Sequence, residues 1–371
     1  MLLILIVFVG LLLAYANGAN DNFKGVATLF GSGTTNYRAA LGWATLTTAL
    51  GSVAAMLFAR TLLEAFRGKG LVPAEVVADP AFAAAVATAA GLTVLLATRL
   101  GFPVSTTHAL IGALIGAGLL ASPLGIDSAK LVRSFVVPLV LSPFLAVGGA
   151  MLIYPSLRWL RRRLGIEAET CLCVGEELVS VLPGRLSLNQ ALEMTAVELT
   201  VTTGDRTSCH TRYRGRLFGF EARPILDRLH FLSAGAVSFA RGLNDTPKIA
   251  ALLLVGGALS AGPALLLVGL MIAVGGLISA RRVAETMSHR VTQMNVGQGF
   301  SSNLVSSLLV IGASRLGLPV STTHVSCGSL FGIGAVNRQA NWRVIGTILG
   351  SWLLTLPIAA VLAALIFLLL R

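Results

Sequence analysis

The sequence predicts an all-α polytopic membrane protein built from a duplicated unit. Three observations predict it: a composition poor in charge, apolar stretches that recur at membrane-spanning length, and two polar motifs that each occur twice in the same order. Of 371 residues, 55% are hydrophobic and 12% charged, where soluble domains carry about 25% charged residues. The run Met1 to Ala14 has no charged side chain and lacks the basic start of a signal peptide. Further apolar stretches occupy 39–59, 81–98, 133–154, 249–280 and 344–370. One such stretch could be a core helix, but so many call for a bilayer.

The net charge of +12, from 28 Lys and Arg against 16 Asp and Glu, raises the question of nucleic acid. The basic residues gather at segment ends rather than on one face, which excludes that class and fits membrane boundaries. The four cysteines are too few and too scattered for a disulfide scaffold. Cys171-x-Cys173 and Cys209-His210 match no zinc spacing, so no metal site is expected there. Cys327, in an apolar segment, reads as a small packing residue.

Two hydrophobic halves, 1–155 and 231–371, flank a polar insert at 156–230. The insert holds eleven arginines and nine acids. Arg158 to Arg163 abut one membrane end and Arg212 to Arg228 approach the next, which places the insert in the cytoplasm of a multi-pass cell-membrane protein. Leu178 to Leu182 and Val197 to Thr203 have β-like composition, so the insert is expected to form a small β-containing subdomain.

The halves repeat each other. Ala16 to Lys24 aligns with Ala240 to Lys248 at an offset of 224, and Pro-Val-Ser-Thr-Thr-His occurs at 103–108 and 319–324, an offset of 216. The polar loop near 60–80 absorbs the difference, and Pro143 and Pro357 fall at comparable places late in each half. Two motifs in one order at nearly one spacing indicate duplication. A duplicated membrane unit with polar interruptions is the pattern of a secondary transporter. If each half crosses the membrane an odd number of times, the halves are inverted and both termini lie outside.

The hexapeptides are the strongest candidates for a binding site. Pro103 and Pro319 interrupt the preceding helix. Ser105, Thr106 and Thr107 suit the N-cap of the run Ala109 to Leu120, as Ser321, Thr322 and Thr323 suit that of the run from Val325. Hydroxyls beside the unpaired N–H groups of a helix start form an oxyanion cradle without an arginine. One copy alone could merely satisfy the backbone of a kinked helix; two copies in matching repeats favour a substrate site. His108 and His324 could contact the anion, orient a neighbour, carry a proton or make a structural hydrogen bond.

Asn20, Asp21, Asn244 and Asp245 supply the hard oxygen ligands that Na⁺ requires, and either Asp could instead carry H⁺. Gly18, Gly242 and Pro247 would permit local unwinding around them. Lys24 and Lys248 each follow their Asp by one helical turn, at ion-pair distance. Structural pairs and coupling sites are compatible readings, since a pair can lock in one state and open in another. Gln298, Ser301 and Asn303 form a weaker accessory cluster, either further ligands or a polar helix contact. No nucleophile–base arrangement points to an enzyme, and no cofactor beyond a coupling ion is expected.

At Gly18-Ala19-Asn20-Asp21, Gly242-Leu243-Asn244-Asp245 and the two hexapeptides, the chain resembles the PiT family of inorganic phosphate transporters. The resemblance implies two inverted-topology repeats with re-entrant helical hairpins carrying the hexapeptides, a homodimer, and symport of phosphate with Na⁺ or H⁺. Carried over by position, the Ser and Thr residues of both hexapeptides hold phosphate, while Asn20, Asp21, Asn244 and Asp245 serve the cation. The chain departs from the pattern at Lys24, where the family has Asn, and at Leu243, Thr246 and Pro247. A lysine there bears on which cation couples and can neutralise Asp21. The expected function is cation-coupled phosphate import by alternating access about a midplane site. A sulfate or other oxyanion permease is the alternative, and an anion channel or a membrane sensor using the insert the reading from another class.

Overall fold

Backbone surrounded by hydrocarbon must satisfy every N–H and C=O internally, and the apolar runs do so as helices. The computed structural model describes the chain apart from residues 59, 68–69, 123–124, 168–169, 181–194 and 205–217, and apart from the side chains of 60, 173–199, 204 and 218–221. The first half holds α1 (Leu2–Asp21), α2 (Ala27–Gly31), α3 (Tyr37–Phe58), α4 (Arg60–Phe66), α5 (Ala74–Ala78), α6 (Pro80–Leu100), α7 (Thr106–Ala121), α8 (Ser128–Leu131) and α9 (Val137–Arg163). The second holds α10 (Ala222–Leu253), α11 (Ala261–Ser279), α12 (Arg281–Glu285), α13 (Val296–Arg315), α14 (Thr322–Asn337) and α15 (Trp342–Leu370). Among the described residues, seven segments are long and apolar enough to cross a membrane: those of α1, α3, α6, α9, α11, α13 and α15. The chain is an integral membrane protein whose membrane part is all-α.

Two compact units emerge, Met1–Tyr154 with His230–Arg371, and Pro155–Leu229. The second contains an antiparallel sheet of β1 (Cys171–Ser180), β2 (Thr195–Gly204) and β3 (Phe218–Glu221) in the order β2-β1-β3. The β-like composition of Val197 to Thr203 thus lies on a strand, while Leu178 to Leu182 is described only as far as Ser180. Cys171 is buried; the side chain of Cys173, with Cys209 and His210, lies outside the described residues.

Local boundaries follow from the residues at them. Asp79 caps α6 by accepting from Ala81 N at 2.8 Å, with Pro80 in the first turn. The 249–280 stretch is two helices rather than one, because α10 stops at Leu253 and Gly256, at φ 63°, turns the chain before α11. The polar stretch near 60–80 contains the short helices α4 and α5. Helix α13 did not stand out as a span because Ser301, Ser302, Ser306 and Ser307 dilute its apolar content. Those serines are buried: Ser302 and Ser306 each hydrogen-bond Ser329 of α14 at 2.8 Å, a polar contact of the kind that joins membrane helices.

The two halves pack on each other through contacts that recur at the motif offsets. A Cβ on Gly18 of α1 would lie 1.9 Å from Ile272 O on α11, and one on Gly242 of α10 would lie 2.2 Å from Thr48 O on α3. Both partners of the second contact stand 224 residues from those of the first. In the same way, α7 approaches α15 at Gly112 and Gly116, and α14 approaches α9 at Gly328 and Gly332. Each half therefore leans on helices of the other, and small residues permit the close approach.

Gly116→Ala, whose Cβ would fall 1.9 Å from Ala360 O, should destabilise the protein by about 3 kcal/mol, the upper range of overpacking. The readout is the thermal midpoint in detergent, with Gly148→Ala, where the added Cβ meets open space, as the unaffected control. Equal midpoints for both variants would show that the helices slide apart freely.

Outward faces carry exposed apolar side chains such as Phe144 and Leu152 on α9 and Leu353, Leu354 and Val361 on α15. Polar side chains concentrate inside, where α1, α10, α7 and α14 converge. That inversion of the soluble pattern positions the site.

Candidate functional site

Each hexapeptide builds the start of a half-length helix. Ser105, with φ −94° and ψ 114°, accepts from His108 N at 3.1 Å; Ser321, with φ −91° and ψ 115°, accepts from His324 N at 3.1 Å. The helices begin at Thr106 and Thr322, earlier than the apolar runs from Ala109 and Val325. Only the serines are therefore N-caps. The threonines occupy the first turn, where backbone N–H groups lack helical acceptors, and their hydroxyls project into the cluster.

Asp21 ends α1. Its Oδ2 accepts from Asn17 Nδ2 at 2.8 Å and from Thr106 Oγ1 at 3.1 Å, while its Oδ1 accepts from Lys24 Nζ. Lys24 Nζ also donates to Asn20 Oδ1 at 2.7 Å, to Val104 O at 2.8 Å and to Thr323 Oγ1 at 2.7 Å. The second half repeats the arrangement. Thr322 Oγ1 donates to Asp245 Oδ2 at 3.1 Å, and Lys248 Nζ reaches Asp245 Oδ1 at 3.1 Å, Val320 O at 2.8 Å and Thr107 Oγ1 at 2.9 Å.

The connectivity crosses. The first threonine of each hexapeptide binds the aspartate of its own half, and the second binds the lysine of the other half. All eight of these side chains are buried. The sequence-based Asp–Lys pairs are present, and Lys24 directly contacts the carboxylate it could neutralise.

Asn20 ties α1 to the hexapeptide approach, donating to Thr98 Oγ1 at 2.8 Å and Phe102 O at 3.0 Å and accepting from Val104 N at 3.1 Å. Asn244 donates to Val320 O at 3.2 Å, and its buried Oδ1 has no partner among the described residues. The expected unwinding is absent at Gly18, which lies within α1; beyond Asp21 the chain instead tightens into a 3₁₀ turn at Asn22–Gly25. In the second half α10 likewise stays helical through the buried Gly242 and Pro247.

His108 and His324 meet across the halves, with ring centroids 4.5 Å apart. His324 stacks on Trp352 at 4.0 Å and its Nδ1 lies 3.3 Å from Leu139 O, a structural bond. His108 Nδ1 and His324 Nε2 are buried without a hydrogen-bond partner. The accessory candidates bond elsewhere: Gln298 completes a capping box with Asn295, Ser301 bonds Gly297 O at 2.8 Å, and Asn303 accepts from Thr28 at 3.0 Å.

The sequence reading missed Arg241. It aligns with Asn17 at the 224 offset and touches it: Arg241 Nη1 lies 3.4 Å from Asn17 Oδ1, and Nη2 donates to Asn22 Oδ1 at 3.0 Å and Thr48 Oγ1 at 3.1 Å. Its Nε is buried without a partner. The available signal was an arginine one residue before Gly242 in a motif whose first copy has an uncharged residue there. Among the described residues, Asp21, Lys24, Arg241, Asp245 and Lys248 are the buried charged side chains besides histidine. Counted at formal charge, two carboxylates stand among three basic groups, an excess of one positive charge.

Paired helix starts beside buried cations are groups able to hydrogen-bond and balance an anion. The sequence matches the phosphate transporter family over residues 17–363. The chain belongs to that family. It is 28% identical over 400 residues to a Pyrococcus abyssi protein named as a phosphate permease, covering 98% of this chain and 97% of the relative. A Haemophilus influenzae protein named in the same way is 29% identical over 403 residues, with 98% and 95% covered. The solved structure entitled the sodium-dependent phosphate transporter superposes with a TM-score of 0.74 at 23% identity, over 100% of this chain and 98% of that one, a likeness of fold.

Proposed function

We propose that this member of the phosphate transporter family imports inorganic phosphate by symport with Na⁺ or H⁺, through alternating access about the cluster of α1, α7, α10 and α14. The observation that carries this reading is the crossed pair of helix starts. Thr107 and Thr323 each bind a lysine of the opposite half, so movement of one half against the other changes the hydroxyls offered to an anion. Phosphate sits between the hexapeptides, held by the Ser105, Thr106, Thr107, Ser321, Thr322 and Thr323 side chains and the free first-turn N–H groups. Arg241 supplies the charge that the anion balances. Asn20, Asp21, Asn244 and Asp245 serve the coupling cation. The insert faces the cytoplasm, the repeats have inverted topology, and the protein works in the cell membrane as a homodimer.

Phosphate is favoured over sulfate by the carboxylates beside the cradle. Thr106 and Thr322 each lie 3.1 Å from an aspartate oxygen, so a carboxylate stands beside the cradle to accept from the hydroxyl of a protonated phosphate, which sulfate lacks. Radiolabelled phosphate uptake into proteoliposomes, under Na⁺ and proton gradients and with sulfate added from equimolar to excess, tests the reading. Uptake indifferent to both gradients, or competition by equimolar sulfate, would overturn it.

Ser105→Ala and Ser321→Ala are expected to remain folded, since each loses an N-cap worth about 1 kcal/mol. Both should raise the phosphate concentration for half-maximal uptake, because the serine O–H is left free to donate while its oxygen caps the helix. Unchanged concentration dependence in both would remove the serines from the site.

A further inference from the structure

Lys24 Nζ has four oxygen neighbours: the Asn20 amide, the Asp21 carboxylate, the Val104 carbonyl and the Thr323 hydroxyl. An ammonium has three N–H donors, so the group is enclosed by one more oxygen than it can fully serve. Carboxylate, carbonyl, amide and hydroxyl are the donors a hard metal ion prefers. Lys248 Nζ sits in the matching shell of the Asp245 carboxylate, the Val320 carbonyl and the Thr107 hydroxyl. Each shell draws its oxygens from both halves, and each is filled by a charge covalently tied one helical turn from the aspartate.

We propose that Lys24 and Lys248 are tethered cations standing where a dissociable Na⁺ would bind, so that this transporter carries phosphate without a sodium ion. This rests on the phosphate-transport reading and selects H⁺ from its two coupling ions. Neither shell leaves room for Na⁺: each carboxylate is paired with a lysine, and a metal ion there would lie against an ammonium group. Arg241 adds a further cation, so the charge of the cluster suits an anion better than a metal. Ammonium groups that cannot leave with the cargo still hold the two halves together through Thr323 and Thr107, as an ion bound between them would.

The test uses the full chain in proteoliposomes, with phosphate uptake driven by an inward proton gradient in Na⁺ or K⁺ medium, and equilibrium binding of ²²Na⁺ to the purified protein. Uptake in the two media is expected to agree within about twofold, and ²²Na⁺ to show no saturable binding. In Lys24→Ala, and separately in Lys248→Ala, the vacated shell should acquire saturable ²²Na⁺ binding, and any uptake that remains should be stimulated by Na⁺. Stimulation of the native protein by Na⁺ of about tenfold, or saturable ²²Na⁺ binding to it, would overturn the proposal. So would a variant that elutes as a folded protein yet binds no ²²Na⁺. If either variant fails to fold, the native measurements and the other variant decide. Absence of phosphate uptake under every gradient would refute the transport reading, while the ²²Na⁺ measurements separately decide whether the lysines fill cation shells.

Discussion

Asp21→Asn should cost most of the folded protein. Among the described residues the carboxylate is the sole acidic partner of the buried Lys24 ammonium, and it also receives Asn17 and Thr106. Removing one member of a buried ion pair leaves the other uncompensated, at about 3–5 kcal/mol. That is comparable with the whole stability of many proteins, roughly 5–15 kcal/mol. The amide also turns one acceptor into a donor facing Lys24 or Thr106, so a hydrogen bond is lost in either orientation. The double variant Asp21→Asn with Lys24→Gln removes both charges and should recover much of the folded yield. Size-exclusion profiles and thermal midpoints in detergent for the two single variants and the double variant supply the cycle. If Asp21→Asn alone matched the native midpoint, Lys24 would be neutral or solvated, and the buried pair would not hold this centre together.

Some of this centre was legible in the sequence because duplication displays it twice. The hexapeptides could be placed at helix starts from Pro103, Pro319 and the serines, and the Asp–Lys pairs from a spacing of one turn. Crossing between halves was not legible. Thr323 meets Lys24 and Thr107 meets Lys248 only because α7 and α14 enter from opposite repeats, a consequence of packing that no local spacing encodes. Arg241 was not legible from the repeat, because it stands where the two copies differ, opposite Asn17. Helix α13 was obscured by its serines, whose hydroxyls pair with Ser329 (Ser302 and Ser306) or with carbonyls of α13 itself (Ser301 and Ser307) and so cost less in hydrocarbon than their composition implies. Gly242 and Pro247 pointed to unwinding, yet α10 runs through both, since Gly242 is used for close approach to α3 rather than for backbone freedom.

Arg241→Gln should do the opposite of Asp21→Asn, weakening transport while sparing the fold. Arg241 is the cation in the cluster without a carboxylate at ion-pair distance among the described residues; its listeners are amide and hydroxyl oxygens of Asn17, Asn22 and Thr48. Burying such a charge is costly in the empty protein and becomes favourable when an anion enters. Glutamine removes that cost, so the thermal midpoint without phosphate should stay level or rise, the usual relation between a strained site and stability. The stabilisation on adding phosphate should then shrink, because a hydrogen-bonded charge contributes about 1.5–3 kcal/mol, or about ten- to a hundredfold in affinity. Half-maximal uptake should shift to higher phosphate by the same factor, with Arg241→Lys recovering part of it through charge alone. A role confined to bracing α10 against α1 and α3 predicts the reverse: a lower midpoint in Arg241→Gln and, in whatever protein survives, an unchanged dependence on phosphate.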